Sequence, residues 1–261
     1  MTDQTDQSDQ TDQTELVHYR VDGAVASLVL DSPANRNALS RALVAQLADG
    51  LQRAERDEDV RVVVVRAEGP AFCSGADLSE ATGEGMEGAA QAIVALQRRI
   101  VTLEKPVVVQ VHGPCRAGGI GIVAAADVVV AAEAASFALT EVRLGLAAAM
   151  ISLTVLPRLT DRAAAWACLG GEVFDAATAQ TMGLVTRTVP AEDLLRAVDE
   201  TCVALAKGHP QGLRESKRLL NRHLVERIDR DGEDLAALSA RLFGSDAARE
   251  AMTQFLHRRS R

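Results

Sequence analysis

The 261-residue chain is poor in aromatic side chains, which make up 3% of it as five Phe, one Tyr and one Trp. Its core must therefore be built from Ala, Val, Leu and Ile, which suit closely packed helices and sheets. Such a composition offers no platform on which bases could stack. Hydrophobic residues make up 48% and charged residues 25%, which is ordinary globular usage and excludes a wholly disordered chain.

Metal-binding and disulfide motifs are also absent. The four cysteines are widely spaced, no C-x-x-C motif or Cys/His cluster occurs, and none of the five histidines accompanies a Ser or Asp motif. The sequence therefore predicts no metal site and no disulfide framework, and it favours free thiols in a reducing cytoplasm.

The chain has neither an excess of positive charge nor a long apolar run. With 28 basic and 36 acidic residues its formal charge is −8, and four of the acids lie in the first fourteen residues. The mildly acidic body argues against nucleic acid and anionic membranes as partners. The most apolar segment, 120–135, is broken by Asp127 and Glu133, and no signal-peptide pattern is visible. We therefore expect no membrane span and a cytoplasmic protein.

A three-residue repeat, Thr/Ser-Asp-Gln, fills residues 2–14 and has no apolar side chain to bury. It predicts a disordered tail over residues 1–14. A globular pattern follows from residue 15. The Asp22-Gly23 pair between two apolar segments predicts a β-hairpin, and Ser40 is a good N-cap for the amphipathic helix that follows it.

Strand and helix patterns then alternate. β-Branched runs at 60–65, 107–111 and 128–131 are typical of strands that are buried on both faces of a parallel sheet. A helix is predicted over about 88–103 and a short strand over 184–189. Alternation of this kind predicts an α/β fold with right-handed crossovers.

The last fifty residues are helical in pattern. Three amphipathic helices are predicted, at about 210–221, 224–242 and 245–257. Gly208-His209-Pro210 reads as the stop of one helix and the start of the next, so the α/β core is expected to span 15–208 and a C-terminal helical region 209–261.

Two glycine-bearing turns, residues 69–78 and 112–121, follow buried strands. A strand that ends in such a turn and opens a helix leaves backbone N–H groups without acceptors. Two of these turns side by side can direct two N–H groups at one oxygen, which is the geometry of an oxyanion hole. Taken singly, each turn is equally explained by tight packing or positive φ. A dinucleotide fingerprint fits less well, because the spacing is not G-x-G-x-x-G.

With four further segments, the two turns resemble the enoyl-CoA hydratase/isomerase, or crotonase, family. The four are Asn35-Arg36-Asn37-Ala38-Leu39, residues 136–146, 177–185 and 210–217, and the resemblance covers about residues 15–257. It implies a spiral of repeated ββα units with a C-terminal helical region, residues 209–261, that forms subunit contacts and shapes the substrate pocket. It also implies an acyl-CoA thioester substrate, no cofactor beyond the coenzyme A that the substrate carries, and a homo-oligomer, either a trimer or a dimer of trimers.

The resemblance implies roles for individual residues. The backbone N–H groups of Ala76 and Gly118 would form the oxyanion hole for the thioester carbonyl, and Glu141 would be the catalytic carboxylate. Two short segments, residues 36–38 and 71–73, would hold the nucleotide part of coenzyme A. The expected binding residues are Arg36, Ala38, Ala71, Phe72 and Cys73.

The chain departs from the family pattern at one position. Well-studied hydratases carry two glutamates at the substrate double bond; the second maps onto Glu141, whereas the first falls on Gly121, which has no side chain. Cys115 and Arg116 are interpreted as packing or shape residues, and Asp77 as a helix cap. The acids Glu80, Glu84 and Glu87 lie on or next to the glycine-rich segment 82–88, which is expected to be a mobile loop over the acyl pocket. A solvated loop face is the expected role of these acids, and replacement of the missing glutamate by one of them is the alternative.

Three functions are compatible with these features. The first is a hydratase that adds water to a 2-enoyl-CoA with Glu141 as base, and the second is a Δ3,Δ2-enoyl-CoA isomerase or another crotonase-type reaction. The third is an acyl-CoA-binding protein without turnover, which the glycine at 121 favours and the retained Glu141 disfavours. A catalytic carboxyl in an apolar pocket would have its pKa raised toward neutrality by desolvation.

Overall fold

The computed structural model describes residues 14–80 and 86–259, the last five of these by their backbone alone. The disordered tail predicted for residues 1–14 thus lies almost entirely outside the described residues. In chain order the strands are β1 (Val17–Asp22), β2 (Val25–Leu30), β3 (Val62–Ala67), β4 (Val107–Val111), β5 (Cys115–Arg116), β6 (Val128–Ala132), β7 (Ser136–Ala138), β8 (Phe174–Asp175) and β9 (Arg187–Val189). The helices are α1 (Arg41–Arg56), α2 (Met86–Thr102), α3 (Gly118–Ala125), α4 (Ser152–Val155), α5 (Asp161–Gly170), α6 (Ala176–Met182), α7 (Leu194–Ala206), α8 (Pro210–Phe243) and α9 (Asp246–Arg259).

Six strands form the main sheet in the order β1-β2-β3-β4-β6-β9. β1 and β2 are the predicted antiparallel hairpin around Gly23, which has a φ of +53°. Every other neighbouring pair in this sheet is parallel. The helix expected after Ser40 is also confirmed, because the Ser40 hydroxyl accepts a hydrogen bond from the Leu43 N–H.

Both faces of the main sheet are covered, which explains the continuous β-branched runs. Val63 and Val65 of β3 face the larger core with α1, α2 and α3, whereas Val62 and Val64 pack against α7 on the opposite face. The strand is buried on both sides, so no polar residue alternates with the valines.

A second sheet of three short strands, in the order β5-β7-β8, completes the ββα repeat. β4, β5 and α3 make one such unit, and β6 and β7 begin the next, which continues into a 3₁₀ turn at Glu141–Leu144. An isolated bridge between Cys73 and Cys115 brings the chain after β3 to the edge of this sheet. The repeat therefore places the segments that follow successive strands of the main sheet next to one another.

Two helices, and not the predicted three, make up the C-terminal region. α8 is continuous over 34 residues and therefore crosses the break expected near residue 222. The polar residue at that point, Asn221, is buried and donates to the Val101 carbonyl at 3.1 Å, so it faces α2 and does not end the helix. The predicted restart at Pro210 is confirmed, with His209 as the N-cap. Among the described residues, no helix is long and apolar enough to cross a bilayer.

Candidate active site

The two glycine-bearing turns lie side by side, as their sequences predict. The N–H of Arg116 donates to the Cys73 carbonyl at 2.9 Å, and the N–H groups of Phe72 and Cys73 donate to Pro114 at 3.0 and 3.3 Å. The segment before Ala76 is thereby joined to the segment before Gly118.

The peptide between Gly75 and Ala76 has a fixed orientation. Its carbonyl accepts a hydrogen bond from the Leu39 N–H at 2.8 Å, and Gly75 has a φ of +99° that favours glycine. The C=O and N–H of a trans peptide point in opposite directions. The Ala76 N–H therefore points away from Leu39, and no acceptor for it is found in the described part of the chain.

Gly118 supplies the second N–H. It is the first residue of α3, so its N–H has no acceptor within that helix. A Cβ at this position would lie 2.9 Å from Leu39 Cδ1 and 3.9 Å from the Ala76 nitrogen, so glycine allows the two donors to approach each other. The preceding Ala117 has a φ of +44°, an uncommon value outside glycine that turns the Gly118 peptide.

A cavity of about 990 Å³ lies beside these donors. Ala76, Ala117 and Glu141 line it together with side chains from α8 and α9, namely Phe243, Ala251 and Gln254. The sequence predicted a helical region near the pocket but not these three residues, whose position depends on how α9 folds against the 3₁₀ turn. Of the residues expected to bind coenzyme A, those that line the cavity are Arg36, Ala38 and Ala71.

Phe72 and Cys73 are not brought to the cavity. Both side chains are fully buried in the main core, and burial raises the pKa of the Cys73 thiol to about 12. Cys115 is likewise buried, in accord with a packing role. Arg116 is half-buried at the cavity wall, where its guanidinium donates to the Ser136 carbonyl at 2.6 Å and to the Ser136 hydroxyl at 3.0 Å.

Glu141 presents a carboxyl oxygen that has no hydrogen-bond partner in the part of the chain that the structure describes. The residue begins the 3₁₀ turn, and its Oε2 atom is buried with no hydrogen bond among the described residues. Desolvation raises the pKa of this carboxyl to about 7, against a small opposing effect of its own backbone N–H. Arg143 does not neutralise Glu141, because it pairs with Glu172 at 3.1 Å. At neutral pH the carboxyl can therefore both accept and donate a proton.

The position of the missing first glutamate is filled by protein. A Cβ on Gly121 would lie 2.7 Å from Ile151 Cγ2 and 3.3 Å from Gln97 Oε1. Gln97 is held in place by the Thr154 hydroxyl, which donates to its Oε1 at 2.6 Å, and by the Met150 carbonyl, which accepts from its Nε2 at 3.1 Å. Gln97 and Thr154 are both fully buried. Within the described residues, the carboxyls that line the cavity are Glu141 and Asp77, and both oxygens of Asp77 already accept hydrogen bonds.

The surrounding acidic residues differ from expectation in part. Asp77 caps a turn and not a helix: its Oδ1 accepts from the Ser79 N–H at 3.0 Å. Glu80 accepts from the Arg41 N–H at 2.9 Å, and Glu87 lies in the first turn of α2. Residues 86–88 of the expected loop are therefore helical, whereas Glu84 lies in the segment 81–85 outside the described residues.

A second groove, of about 820 Å³, runs between α1 and α2. Its arginines already have acidic partners: Arg98 pairs with Asp229 at 2.6 Å and Arg99 with Glu55 at 2.9 Å. No unpaired titratable group of this groove resembles the carboxyl in the larger cavity.

Solved structures assign the fold to the crotonase class. An enoyl-CoA hydratase from Mycobacterium avium is 48% identical, with a TM-score of 0.88 over 93% of this chain and 96% of that one. A family model described as enoyl-CoA hydratase/isomerase matches residues 20–261. The chain belongs to the enoyl-CoA hydratase/isomerase family.

Relatives within the family differ in reaction. The chain is 35% identical to the mevalonyl-coenzyme A hydratase of Aspergillus fumigatus over 193 residues, 72% of this chain and 71% of the relative. It is 29% identical to the 1,2-epoxyphenylacetyl-CoA isomerase of Escherichia coli over 255 residues, 94% and 97% of the two chains. Membership therefore defines an enzyme that is a hydratase or an isomerase.

Proposed function

We propose that the chain is an enoyl-CoA hydratase that adds water to the double bond of a 2-enoyl-CoA thioester. The observation that carries the proposal is the Glu141 carboxyl, with its unpartnered Oε2 and a pKa of about 7, in the cavity beside the Ala76 and Gly118 N–H groups. A base of this pKa is half ionised near neutral pH, which suits general acid–base catalysis.

In the proposed reaction the thioester oxygen accepts hydrogen bonds from Ala76 and Gly118. Glu141 takes a proton from a water molecule, whose oxygen bonds to the β-carbon while the C=C electrons move to an enolate oxygen. The two donors stabilise this charge, and loss of one such donor typically costs about 2.7–4 kcal/mol. Collapse of the enolate with a proton on the α-carbon, returned by Glu141, gives the 3-hydroxyacyl-CoA.

The coenzyme A part of the substrate would lie along the strip from Arg36 to Ala38 and along Ala71. Arg36 is exposed at the cavity mouth, where its positive charge suits a phosphate group. Coenzyme A enters as part of the substrate and leaves as part of the product with its thioester bond intact, so the proposal includes no separate cofactor. A cytoplasmic location stays a prediction from cysteine usage.

An isomerase is the second candidate, and the packing around Gly121 favours it. Ile151 and Gln97 occupy the place of the first glutamate, so no second carboxyl is available there to hold the attacking water. A single carboxyl of neutral pKa is sufficient to move a proton between C2 and C4 of a 3-enoyl-CoA.

Incubation with a panel of 2- and 3-enoyl-CoA esters in H₂¹⁸O separates the candidates. A hydratase yields a 3-hydroxyacyl-CoA that carries ¹⁸O. Migration of the double bond without ¹⁸O in the product would establish the isomerase instead, and an unchanged panel with measurable CoA-ester binding would establish a binding protein.

A further inference from the structure

A hydrogen bond at the cavity mouth joins two segments that are distant in sequence. Asn35 Nδ2 donates to Asp77 Oδ2 at 3.0 Å across 42 residues, and both residues line the cavity. Asp77 directly follows Ala76, whose N–H belongs to the donor pair. The second carboxyl oxygen of Asp77 accepts from the Ser79 N–H at 3.0 Å and from its hydroxyl at 2.7 Å. Both oxygens of Asp77 are thus engaged.

Asp77 is held as an anion by these bonds. Partial burial opposes ionisation, but the hydrogen bonds from Ser79 and Asn35 outweigh it and lower the pKa of the carboxyl. No cation lies within salt-bridge distance of Asp77 among the described residues. The charge is therefore stabilised by the donors that fix the loop, which suits a residue that sets loop geometry.

We propose that Asn35 and Asp77 are positioning residues that aim the Ala76 N–H at the substrate oxygen. On its carbonyl side the Ala76 peptide is fixed by Leu39, as described above. On its other side the first anchor is the Asp77 carboxylate, which ties the chain to Asn35. The inference rests on the proposed function, in which the Ala76 N–H binds the thioester oxygen.

The neighbouring bonds of Asn35 make a reciprocal exchange possible. Its Oδ1 accepts from the Ser32 hydroxyl at 2.8 Å and from the Ala38 N–H at 3.3 Å, so each of the five side-chain hydrogen bonds of the pair has a defined donor and acceptor. Asn35→Asp combined with Asp77→Asn reverses the donor and the acceptor of the central bond. It leaves an oxygen for Ser32 and Ala38 on one side and an oxygen for Ser79 on the other. By contrast, Asp77→Asn alone places two N–H donors opposite each other, and Asn35→Asp alone places two carboxylates opposite each other.

The test compares kcat and KM for an enoyl-CoA in the wild type, the two single variants and the exchanged double variant. Asp77→Asn is expected to lower kcat about tenfold with a change in KM below threefold, because a misaimed donor loses part of the 10²–10³-fold that a whole donor contributes. The double variant is expected to recover kcat to within about threefold of the wild type. Asp229→Asn, at an aspartate that pairs with Arg98 far from the cavity, is the matched control and should leave both constants unchanged.

An unchanged kcat in Asp77→Asn, or a double variant no better than the singles, overturns the proposal. If Asn35 and Asp77 had a purely structural role, the substitutions would lower the unfolding temperature, but they would not lower kcat while leaving KM nearly unchanged. If the double variant unfolds below the assay temperature, Asn35→Ala replaces it: the same bond is lost from the other side, so kcat must fall by a similar factor. A wild type that converts no enoyl-CoA would instead refute the proposed function.

Discussion

At the scale of single residues, burial of the Glu141 carboxyl makes this group reactive and also lowers the stability of the folded protein. Its Oε2 atom is withdrawn from water without a hydrogen-bond partner among the described residues, and this desolvation raises its pKa to about 7. The same desolvation makes the ionised form unfavourable in the folded state. A carboxyl that is suited to proton transfer at neutral pH is therefore held at the expense of stability.

The raised pKa of Glu141 makes the stability of the protein depend on pH, and the direction of this dependence can be tested. The folded protein retains a proton on Glu141 up to a pKa of about 7, whereas in the unfolded chain it is lost near the ordinary value of 4.5. Stability is thus lost as the pH rises from about 4.5 to 7. Glutamine does not titrate, so Glu141→Gln is free of this loss. The unfolding free energy of the variant minus that of the wild type should therefore be about 3 kcal/mol larger at pH 8 than at pH 4. Urea unfolding at both pH values measures it, and a pH-independent difference would contradict the assigned pKa.

Gly121 is the residue at which the chain departs from two-glutamate hydratases. A side chain there must displace Ile151, whose Cγ2 would lie 2.7 Å from the new Cβ. Gly121→Glu is therefore expected to lose about 1–3 kcal/mol of stability by overpacking and to gain no hydration of crotonyl-CoA. Addition of Ile151→Ala should restore part of the loss in urea unfolding. A stable Gly121→Glu protein with faster hydration would show that the space is open to a second carboxyl.

Part of this site could be read from the sequence. The paired turns and Glu141 were predictable because glycines after buried strands have few other uses together, and because the family resemblance marks the carboxylate. The sequence marks Gly121 as the place of the first glutamate but does not show that Ile151 and Gln97 fill that place. These two residues lie 30 and 24 positions from Gly121 in the chain, and no local pattern specifies the contacts.

At the scale of secondary-structure elements, α8 is anchored by a buried polar cluster. Lys217 Nζ donates to Asp127 Oδ2 at 2.7 Å and to the carbonyls of Ile100 and Lys105 at 3.0 Å. The other oxygen of Asp127 accepts from Asn221 at 3.3 Å. Burial lowers the pKa of the Lys217 ammonium, and the charge of Asp127 opposes that shift. The cluster thus fixes α8 against α2 and the start of β4.

Removal of the cation from this cluster should be costly. Lys217→Met leaves the partly buried Asp127 without its cation, and breaking one side of a buried pair costs up to about 3–5 kcal/mol. Urea unfolding should report a loss of this size, whereas Arg222→Met on the exposed face of the same helix should be nearly neutral. A loss below 1 kcal/mol for Lys217→Met would show that the pair does not hold α8.

The same cluster explains why the helix count was wrong. Apolar periodicity on α8 is interrupted by Lys217 and Asn221, which a pattern based on hydrophobicity takes as the end of a helix. Both are buried against backbone carbonyls of α2, a partnership that lies more than 100 residues away in the chain. The strands of the main sheet and the helix at Ser40, by contrast, depend on local signals and were predicted, whereas the short strands of the second sheet were not.

At the scale of the whole molecule, the exposed apolar surface is the feature that a monomer leaves unexplained. Leu224 and Ile228 of α8 are buried in the main core of the same chain, so the apolar side of this helix does not by itself require a second subunit. What stays exposed is different: Leu219 and Leu220 are 76% and 82% exposed, and on α5 Leu169 is 76% and Trp166 46% exposed. Surfaces of this kind are typical of contact sites between subunits.

The trimer or dimer of trimers that the family resemblance implies therefore stays a prediction, and these exposed side chains are the candidates for its interfaces. Sedimentation equilibrium should give about three or six times the chain mass of 27.7 kDa. Removal of residues 210–261 should cause aggregation, because it uncovers the face of α2 that α8 covers. An active monomer at micromolar concentration would contradict the assembly, although the proposed chemistry would stand.

The central claim, that a single carboxyl at Glu141 carries the acid–base chemistry, is tested most directly by the turnover of Glu141→Gln. The account predicts a loss of at least about 10²-fold in kcat, with CoA-ester binding retained and with Glu226→Gln, an exposed control on α8, unchanged. In the wild type kcat/KM should rise with pH through about 7, as the pKa of Glu141 requires of a base. A Glu141→Gln enzyme within tenfold of wild-type turnover would contradict the account.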